Sequence, residues 1–526
     1  MTADPIAAPT PTPSLRELIL NRSVSHPSSR YLEDARSDRF VDYDDLATLV
    51  RTWWDEFNTR AVARGSLVFI DLADPLSFAV VFLSVVSSGR IAVPIDPGAT
   101  VADVERIASI VDVVSAQVSD REQPATLGGA VLMRLVEQTG TPEQSDMREQ
   151  TGLAELAGPP ALGKHRVMPD RSDGGGGVLL FTSGSTGTPK GVELDEQHLL
   201  FVAGAVAEHN ALRRSDRGYS PLPLFHVNAE VVGLLSTLVA GSALVLDRRF
   251  HRTGFWKLMG NRRITWINAV PAILAVLARD EELRVPEHIR FIRSASAPLP
   301  DAVRDAFSCT SLVISWGMTE GASQIAATPL GQPLRAGSVG PPIGGEVSVR
   351  DESGRECAVG EVGSLWVRGQ GIVRSYFSGR AADRFDANGW LLTGDLGRVD
   401  DDGWVYLSGR SDDVINRGGE KVYPAEVEDV LLEDKRVREV VVVARPDAIL
   451  GQVPVAYVIP VVDTVSDAVS DDSLVADLAA LCEARLPRFK RPVEISIVED
   501  VPRTPTGKVQ RRRVREFDAA NEGESE

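Results

Sequence analysis

One short segment, FTSGSTGTPKGVEL at residues 181–194, places glycines, hydroxyl side chains and one lysine directly after a run of apolar residues. The apolar run, which ends at Phe181, predicts a buried strand. Glycines let backbone N–H groups approach phosphate oxygens, while hydroxyls add donors and a lysine adds a positive charge. The segment therefore predicts a phosphate-binding loop. Its candidate residues are Thr182, Ser183, Gly184, Ser185, Thr186, Gly187 and Lys190.

The spacing within this loop excludes two common nucleotide-binding motifs. Lys190 is preceded by Pro189 and followed by Gly191, whereas a Walker loop requires G-x-x-x-x-G-K-[ST]. Gly184 and Gly187 stand three positions apart, so the dinucleotide pattern G-x-G-x-x-G is also absent. A glycine-rich surface turn is the structural alternative. Taken alone, the loop indicates only that the chain binds a nucleoside triphosphate.

Size and charge limit the class of protein. The chain has 526 residues, too many for one compact core, so two or three domains are expected. Its net charge of −18 disfavours binding to a nucleic-acid backbone. The three cysteines lie far apart without metal-ligand spacing, which indicates a reducing compartment. We therefore expect a cytoplasmic protein that does not bind nucleic acid.

Two segments, the N-terminus and the apolar residues 76–95, bear on whether the chain carries a secretion signal or a membrane span. The N-terminus lacks the basic and apolar regions of a secretory signal, so residues 1–13 are predicted to be a flexible arm. The apolar segment at residues 76–95 is interrupted by Ser84, Gly89 and Arg90, well short of the ~20 apolar residues that a membrane span needs. We expect a buried helix and a strand there, and no membrane association.

Apolar strands alternate with helical patterns over the first part of the chain, which predicts α/β layers. Predicted strands there are 67–71, 91–95 and 243–246; predicted helices are 75–88, one capped by Asp195 and one beginning at Pro271. From about Gly337 short β runs indicate a small β-rich subdomain, at residues 346–349, 363–368 and 404–407.

After residue 424 the pattern indicates a separate small α+β domain. Its predicted strands are 440–444, 453–460 and 493–498, and its predicted helix is 474–486. Residues 174–177 and the region near 122–158 are predicted to be exposed loops or poorly ordered connections, and residues 511–526 are predicted to be a solvated tail.

Further motifs follow the glycine-rich loop in a fixed order. They are LPLFHVN at 222–228, WINAVPAIL at 266–274, RSASAPLP at 293–300, SWGMTEG at 315–321, GSVGPPIGG at 337–345, GWLLTGDLG at 389–397, GRSDDVINRGGEKVYPAEVE at 409–428 and RTPTGKVQR at 503–511. The series resembles the adenylate-forming superfamily of acyl-CoA synthetases, peptide-synthetase adenylation domains and luciferases. The resemblance implies a large multi-subdomain N-terminal domain at 14–409, a hinge at 410–413 and a small mobile C-terminal domain at 414–526.

The resemblance also implies a reaction. A carboxylate attacks the α-phosphorus of ATP to give an acyl-adenylate and pyrophosphate, and a thiol then displaces AMP. Thr319 and Glu320 match residues that contact the α-phosphate and hold Mg²⁺, and Lys508 matches the catalytic lysine of the first half-reaction. Besides the glycine-rich loop, the implied nucleotide-binding residues are Ser296, Ala297, Pro298, Trp316, Gly317, Met318, Asp395 and Arg410.

Other positions match the hinge, the acceptor tunnel and the acid pocket of the family. Asp412 falls on the hinge, and Gly418 with Gly419 resembles the glycine turn beside the tunnel. His226 matches an aromatic gate between nucleotide and acid, although a packed core histidine is the structural alternative. The implied acid-pocket residues are His226, Val227, Asn228, Ser294, Trp316 and Ser323.

The motifs are most similar to those of the branch of oxalate–CoA ligases and related short-acid ligases. Ser323 stands where oxalate ligases are expected to have histidine, and Trp316 stands where the family usually has tyrosine. Because a dianion needs cationic or several polar donors, the sequence favours a small or aromatic acid over oxalate. CoA is the expected acceptor.

Alternatives remain open for the acceptor and for activity itself. A carrier protein, an amine or nitrite activation for diazotisation would use the same first half-reaction in secondary metabolism. A non-catalytic relative is a third reading, but it gives no reason to retain Thr319, Glu320, Asp395, Arg410 and Lys508 together. A monomer or a homodimer is expected.

Overall fold

The computed structural model describes residues 13–111, 114–125, 127, 130–135, 153–154, 175–182, 190–280, 283–379, 381–461, 471–503 and 509–522. The strands are β1 (Arg30–Asp34), β2 (Phe40–Asp42), β3 (Leu67–Asp71), β4 (Ile91–Pro94), β5 (Ala116–Ser119), β6 (Val131–Leu135), β7 (Leu153–Ala154), β8 (Gly177–Thr182), β9 (Lys190–Asp195), β10 (Arg217–Ser220), β11 (Ala243–Leu246), β12 (Trp266–Ala269), β13 (Phe291–Ser294), β14 (Ser311–Trp316), β15 (Ala326–Ala327), β16 (Ser338–Gly340), β17 (Gly345–Arg350), β18 (Gly363–Gly369), β19 (Leu391–Val399), β20 (Val405–Arg410), β21 (Ile415–Arg417), β22 (Glu420–Val422), β23 (Val437–Asp447), β24 (Gly451–Pro460) and β25 (Glu494–Ile497).

Helices cover and connect these strands. They are α1 (Leu15–Ser25), α2 (Tyr43–Thr59), α3 (Pro75–Ser87), α4 (Val101–Val111), α5 (Glu196–His209), α6 (Ser236–Ala240), α7 (Phe255–Asn261), α8 (Pro271–Leu277), α9 (Asp301–Ala306), α10 (Pro424–Leu431), α11 (Asp471–Arg485) and α12 (Arg511–Glu522). A π-helical segment, Asn228–Leu235, precedes α6.

Two mainly parallel sheets form the N-terminal part of the fold. One has the order β15-β14-β13-β12-β10-β11-β1-β2, and the other has the order β7-β6-β5-β3-β4-β8-β9. Helix α3 contacts strands of both sheets and is buried at nearly every position from Leu76 to Ser87. A helix apolar on all sides belongs inside a large core, which explains the apolar run at this point. Within the described residues, no helix is long and apolar enough to cross a membrane.

Two smaller sheets follow along the chain. An antiparallel sheet has the order β16-β20-β19-β18-β17. A last sheet has the order β22-β21-β24-β23, with β25 parallel to β24, and α10 and α11 pack on it through a cluster that includes Val427, Leu478 and Cys482. The predicted fold class, layered α/β with a β-rich subdomain and a small α+β unit, is confirmed, and the predicted strands lie within a few residues of the observed ones.

The prediction of exposed loops or poorly ordered connections is wrong at residues 131–135, 153–154 and 176–177. Strands β6 and β7 lie within residues 122–158 and pair at the edge of the second sheet. Gly176 is buried, and a Cβ there would overlap the carbonyl oxygen of Val86. Pairing with neighbouring strands at the first place and close packing against α3 at the second decide the local structure.

The predicted solvated tail is wrong at Arg511 and Val514, which lie in the first turns of α12 (Arg511–Glu522) and pack against the C-terminal sheet. Val514 is only 2% exposed and packs in a cluster with Val441 and Val443 of β23. Arg511 donates from Nη2 to Glu428 Oε2 at 2.8 Å. The basic run that suggested a solvated tail thus supplies a cation for a partly buried carboxylate.

A prediction concerns the turn of the segment GSVG at residues 337–340. Gly340 has φ +84°, and a Cβ there would overlap the carbonyl group of Ala327, whereas Gly337 has φ +71° with open space around it. We expect Gly340→Ala to lower the free energy of unfolding by about 3 kcal/mol and Gly337→Ala by about 1 kcal/mol. Urea unfolding measures both. Equal losses would contradict the role of this close contact.

Candidate active site

The segment from Trp316 to Ile325 turns back on itself directly after β14. Ile325 N donates to Trp316 O at 2.9 Å, which closes the turn. A Cβ on Gly317 would overlap the carbonyl oxygen of Ser323, so this position accepts only glycine. Ala322 and Ser323 have φ of 47° and 92°, conformations that cost non-glycine residues energy and concentrate at functional sites. The turn presents the side chains of the WGMTEG motif on one short loop.

The carboxylate of Asp395 receives two hydrogen bonds from predicted nucleotide-binding residues. Trp316 donates from Nε1 to Oδ2 at 2.9 Å, and Arg410 donates from Nη1 to Oδ1 at 2.8 Å. Asp395 and Arg410 are also register partners on β19 and β20. The structure therefore brings these three residues together. The indole N–H gives Trp316 a polar contact that differs from simple ring stacking.

Glu320, predicted to hold a metal, is buried beside a tyrosine that the sequence did not indicate. Tyr376 donates from its hydroxyl to Glu320 Oε1 at 2.6 Å. Arg384 donates from Nη1 to the Tyr376 oxygen at 3.1 Å and lies 3.9 Å from Glu320 Oε1. Burial, and then the negative charge of Glu320, raise the pKa of Tyr376, which keeps its hydroxyl protonated. Thr319 begins the 3₁₀ turn that carries Glu320.

The glycine-rich loop joins β8 to β9. Thr182 and Lys190 are register partners at the ends of these strands, and the Lys190 ammonium lies 5.8 Å from the ring centroid of Tyr376. Tyr376 thus lies beside both Lys190 and Glu320. The other predicted residues of this loop, Ser183, Gly184, Ser185, Thr186 and Gly187, lie outside the described residues, as does Lys508.

His226 lies at the entrance to the π-helical segment, in the predicted acid pocket. Its Nε2 is buried without a hydrogen-bond partner among the described residues, and its ring lies 4.5 Å from the Phe225 ring. Burial lowers the pKa of His226 to about 4, against a weaker opposing effect of Asp96. The imidazole is therefore neutral near pH 7. Val227 beside it is buried.

A chain of polar side chains leads from the acid pocket into the parallel sheet. Asn268 donates from Nδ2 to Asn228 Oδ1 at 2.8 Å, and Arg293 donates from Nη1 to Asn268 Oδ1 at 3.2 Å. Arg293 also donates to Ser315 Oγ at 2.7 Å and to Gln324 Oε1 at 3.0 Å. Its side chain is completely buried. Sequence reasoning assigned no role to Arg293, although a charged residue inside an apolar strand was a usable signal.

Glu230 on the π-helical segment is a second buried ionisable group that the sequence did not indicate. It is fully buried, and neither carboxyl oxygen has a hydrogen-bond partner within the described part of the chain. Burial raises the pKa of Glu230 well above its usual range. The group is therefore neutral at ordinary pH. π-Helical segments occur frequently at functional sites.

The remaining predicted residues lie at the ends of strands or in turns. Ser294 ends β13 and is buried, and its Oγ has no hydrogen-bond partner among the described residues. Ser296 has φ 79° in the turn that continues into Ala297 and Pro298. Asp412 lies in the 3₁₀ turn Ser411–Asp413 directly after β20.

Gly418 and Gly419 form the turn between β21 and β22. Their φ values of 61° and 98° give a local reason for glycine at both positions. Gly418 N donates to Leu450 O at 2.8 Å, and Gly419 N donates to Asn416 Oδ1 at 2.9 Å.

Comparisons with known proteins identify the family. The chain matches the family model "AMP-binding enzyme" over residues 22–377 and "AMP-binding enzyme C-terminal domain" over residues 426–508. It is 31% identical to sulfoacetate–CoA ligase of Cupriavidus necator, covering 95% of this chain and 97% of that protein. It is 31% identical to oxalate–CoA ligase of Arabidopsis thaliana, covering 86% of this chain and 88% of that protein.

A solved structure is also similar: o-succinylbenzoate CoA synthetase of Bacillus subtilis in complex with its acyl-adenylate intermediate. It superimposes with a TM-score of 0.79 and 26% identity, covering 94% of this chain and 97% of the other. The chain belongs to the AMP-binding enzyme family. The adenylate-forming class predicted from the motifs is therefore confirmed.

The buried histidine makes a testable prediction. The pKa of His226 is about 4 in the folded protein, whereas an unperturbed histidine has a pKa of about 6.5. Between these two pH values the unfolded chain therefore binds a proton at His226 and the folded chain does not. This lowers folding stability progressively below pH ~6.5. We expect His226→Phe to lose less stability than the wild type between pH 7 and about 5, measured by urea unfolding. An equal loss in both proteins would contradict the assignment of a buried neutral imidazole.

Proposed function

We propose that the chain is an AMP-forming acid–CoA ligase that acts on a small or aromatic acid. A carboxylate oxygen of the acid bonds to the α-phosphorus of ATP while pyrophosphate leaves. The sulfur of CoA then bonds to the acyl carbon, and AMP leaves with the electron pair of the cleaved C–O bond. Both half-reactions build negative charge on oxygen, so fixed donors and cations are the main source of rate acceleration.

One observation carries this proposal. A single loop presents Trp316 to Asp395 and Glu320 to Tyr376, so the residues matched to the adenosine and to the phosphates begin from one turn. Asp395, held by Trp316 and Arg410, offers a fixed carboxylate for the ribose hydroxyls of ATP. Lys190 beside Tyr376 offers a positive charge for the phosphates.

Magnesium fits this site as an ion shared with the substrate. The described residues contain no group of three or more metal-ligating side chains, and Glu320 supplies one buried carboxylate. Mg²⁺ commonly binds through one or two carboxylates together with substrate phosphates, which matches a single glutamate. When bound, Mg²⁺ would neutralise phosphate charge, while Tyr376 holds the Glu320 side chain in place.

The two half-reactions require two arrangements of the C-terminal domain in this proposal. We propose the boundaries 14–409, 410–413 and 414–526, with Asp412 as the hinge. Lys508 would serve adenylation, and Gly418 with Gly419 would line the path of CoA after rotation. Separate matches of two family models to residues 22–377 and 426–508 support this division. A cytoplasmic monomer or homodimer is part of the same proposal.

The proposal is tested by measuring each half-reaction separately. We expect ATP–pyrophosphate exchange with at least one acid of a panel in the absence of CoA, and AMP release that increases upon adding CoA. Exchange with no acid would contradict the proposed activity. AMP release that does not increase with CoA, but does increase with a carrier protein, an amine or nitrite, would contradict CoA as the acceptor.

Lys508→Ala separates the two half-reactions more sharply. We expect pyrophosphate release to fall by more than about 100-fold, because a positive charge is lost where negative charge develops. Thioester formation from supplied acyl-adenylate should change little. Lys190→Ala is the matched control and should slow adenylation much less. Equal loss of both half-reactions in Lys508→Ala would overturn the assigned role.

A further inference from the structure

Arg293 carries a buried charge that nothing in the described part of the chain balances. Its side chain is completely buried on β13, and its hydrogen-bond partners are the neutral side chains of Asn268, Ser315 and Gln324. Burial lowers its pKa to about 9, so the guanidinium remains protonated at neutral pH. Neither carboxyl oxygen of Glu230 has a hydrogen-bond partner among the described residues, so Glu230 does not pair with Arg293. An uncompensated buried cation costs several kcal/mol.

Two partly buried arginines near Arg293 in the fold pair with carboxylates instead. Arg217 pairs with Glu33 at 2.7 Å, and Arg290 pairs with Asp216 at 2.5 Å; both carboxylates are almost fully buried. Arg293 differs because its partners are amides and a hydroxyl. Arg90 is likewise buried among neutral partners, so the missing counter-charge at Arg293 points to an external anion only together with the donor beside it that lacks a partner among the described residues.

The orientation of Gln324 gives a second, independent observation. Arg293 has only donors, so the amide oxygen Oε1 of Gln324 must face it, which directs the amide nitrogen Nε2 elsewhere. That Nε2 is buried and lacks a hydrogen-bond partner among the described residues. Ser294, next to Arg293, has a buried Oγ without a partner as well. Buried donors without acceptors are rare because they are costly.

These groups adjoin the predicted acid pocket on several elements. Ser315 precedes Trp316 on β14, Gln324 follows Ser323, and the Asn268 amide joins the Arg293 cluster to Asn228. The hydrogen bond between Asn268 and Asn228 thus joins the cluster to the predicted acid pocket.

We propose, resting on the acid–CoA ligase activity proposed above, that this cluster selects acids carrying a second anionic group, a carboxylate or sulfonate, distal to the reacting carboxylate. Gln324 donates from Nε2 to that distal group, and Arg293 fixes the amide and supplies the positive charge behind it. Gln324 is then a specificity-determining residue and Arg293 a positioning residue. The sequence had disfavoured oxalate, because a dianion needs cationic or several polar donors and none was assigned to the predicted pocket.

The test uses pairs of acids that match in shape and differ in charge. Succinate is compared with succinamate, and isophthalate with 3-carbamoylbenzoate, by ATP–pyrophosphate exchange with the full-length protein. We expect the wild type to favour the diacid of at least one pair by about 100-fold or more in kcat/KM. Arg293→Gln should reduce that ratio to below about tenfold with little change in the KM for ATP, and Arg293→Lys should retain part of the preference.

Two further variants keep the result interpretable. Arg90→Gln is the matched control, because Arg90 is also buried but donates to Val62 O, away from the cluster, and it should leave the ratio unchanged. Gln324→Leu should lower the ratio even if Arg293→Gln does not fold.

A wild type that uses the amide of each pair as well as the diacid, or exchange confined to monoacids such as butyrate and benzoate, would overturn this inference alone. Exchange with no acid would contradict the proposed function itself.

Discussion

The two hydrogen bonds to the Asp395 carboxylate join the elements on which the candidate active site is built. Trp316 ends β14 of the first parallel sheet, and Arg410 ends β20 of the antiparallel sheet. Trp316 and Arg410 both donate to the Asp395 side chain. The loop that carries Glu320 begins at Trp316 and the segment that leads to Asp412 begins at Arg410, so these two segments begin close together. Hydrogen bonds to a charged acceptor are about twice as strong as neutral ones, so this contact favours a defined arrangement of the two sheets.

Local patterns predicted much of the fold and of the site. The strand at Leu67–Asp71 and the helix capped by Asp195 follow from apolar runs and capping chemistry, which depend on neighbouring residues alone. Tyr376 was missed because its role comes from a contact with Glu320, far away in sequence and outside any motif. Strand β6 was missed although its own sequence, VLMRL, is an apolar run, because it was included in a longer stretch predicted as a loop; its pairing with β5 shows that it is a strand.

Ionisable groups away from water distinguish the predicted acid pocket from the predicted nucleotide-binding residues. His226 and Glu230 are neutral, because burial disfavours their charged forms, while Arg293 keeps its charge among neutral partners. On the nucleotide side, by contrast, Asp395 and Arg410 pair directly. An acid-binding region that holds one uncompensated cation is expected to bind anions more tightly than neutral molecules, at the expense of folding stability.

The central claim is that a carboxylate of the substrate becomes bonded to the α-phosphorus of ATP. The most direct measurement supplies an acid labelled with ¹⁸O in that carboxylate, together with ATP and CoA, and determines by mass spectrometry where the label goes. Acyl-adenylate formation predicts that AMP acquires a single ¹⁸O atom for each thioester formed. Label found in inorganic phosphate, or AMP released without label, would contradict the account.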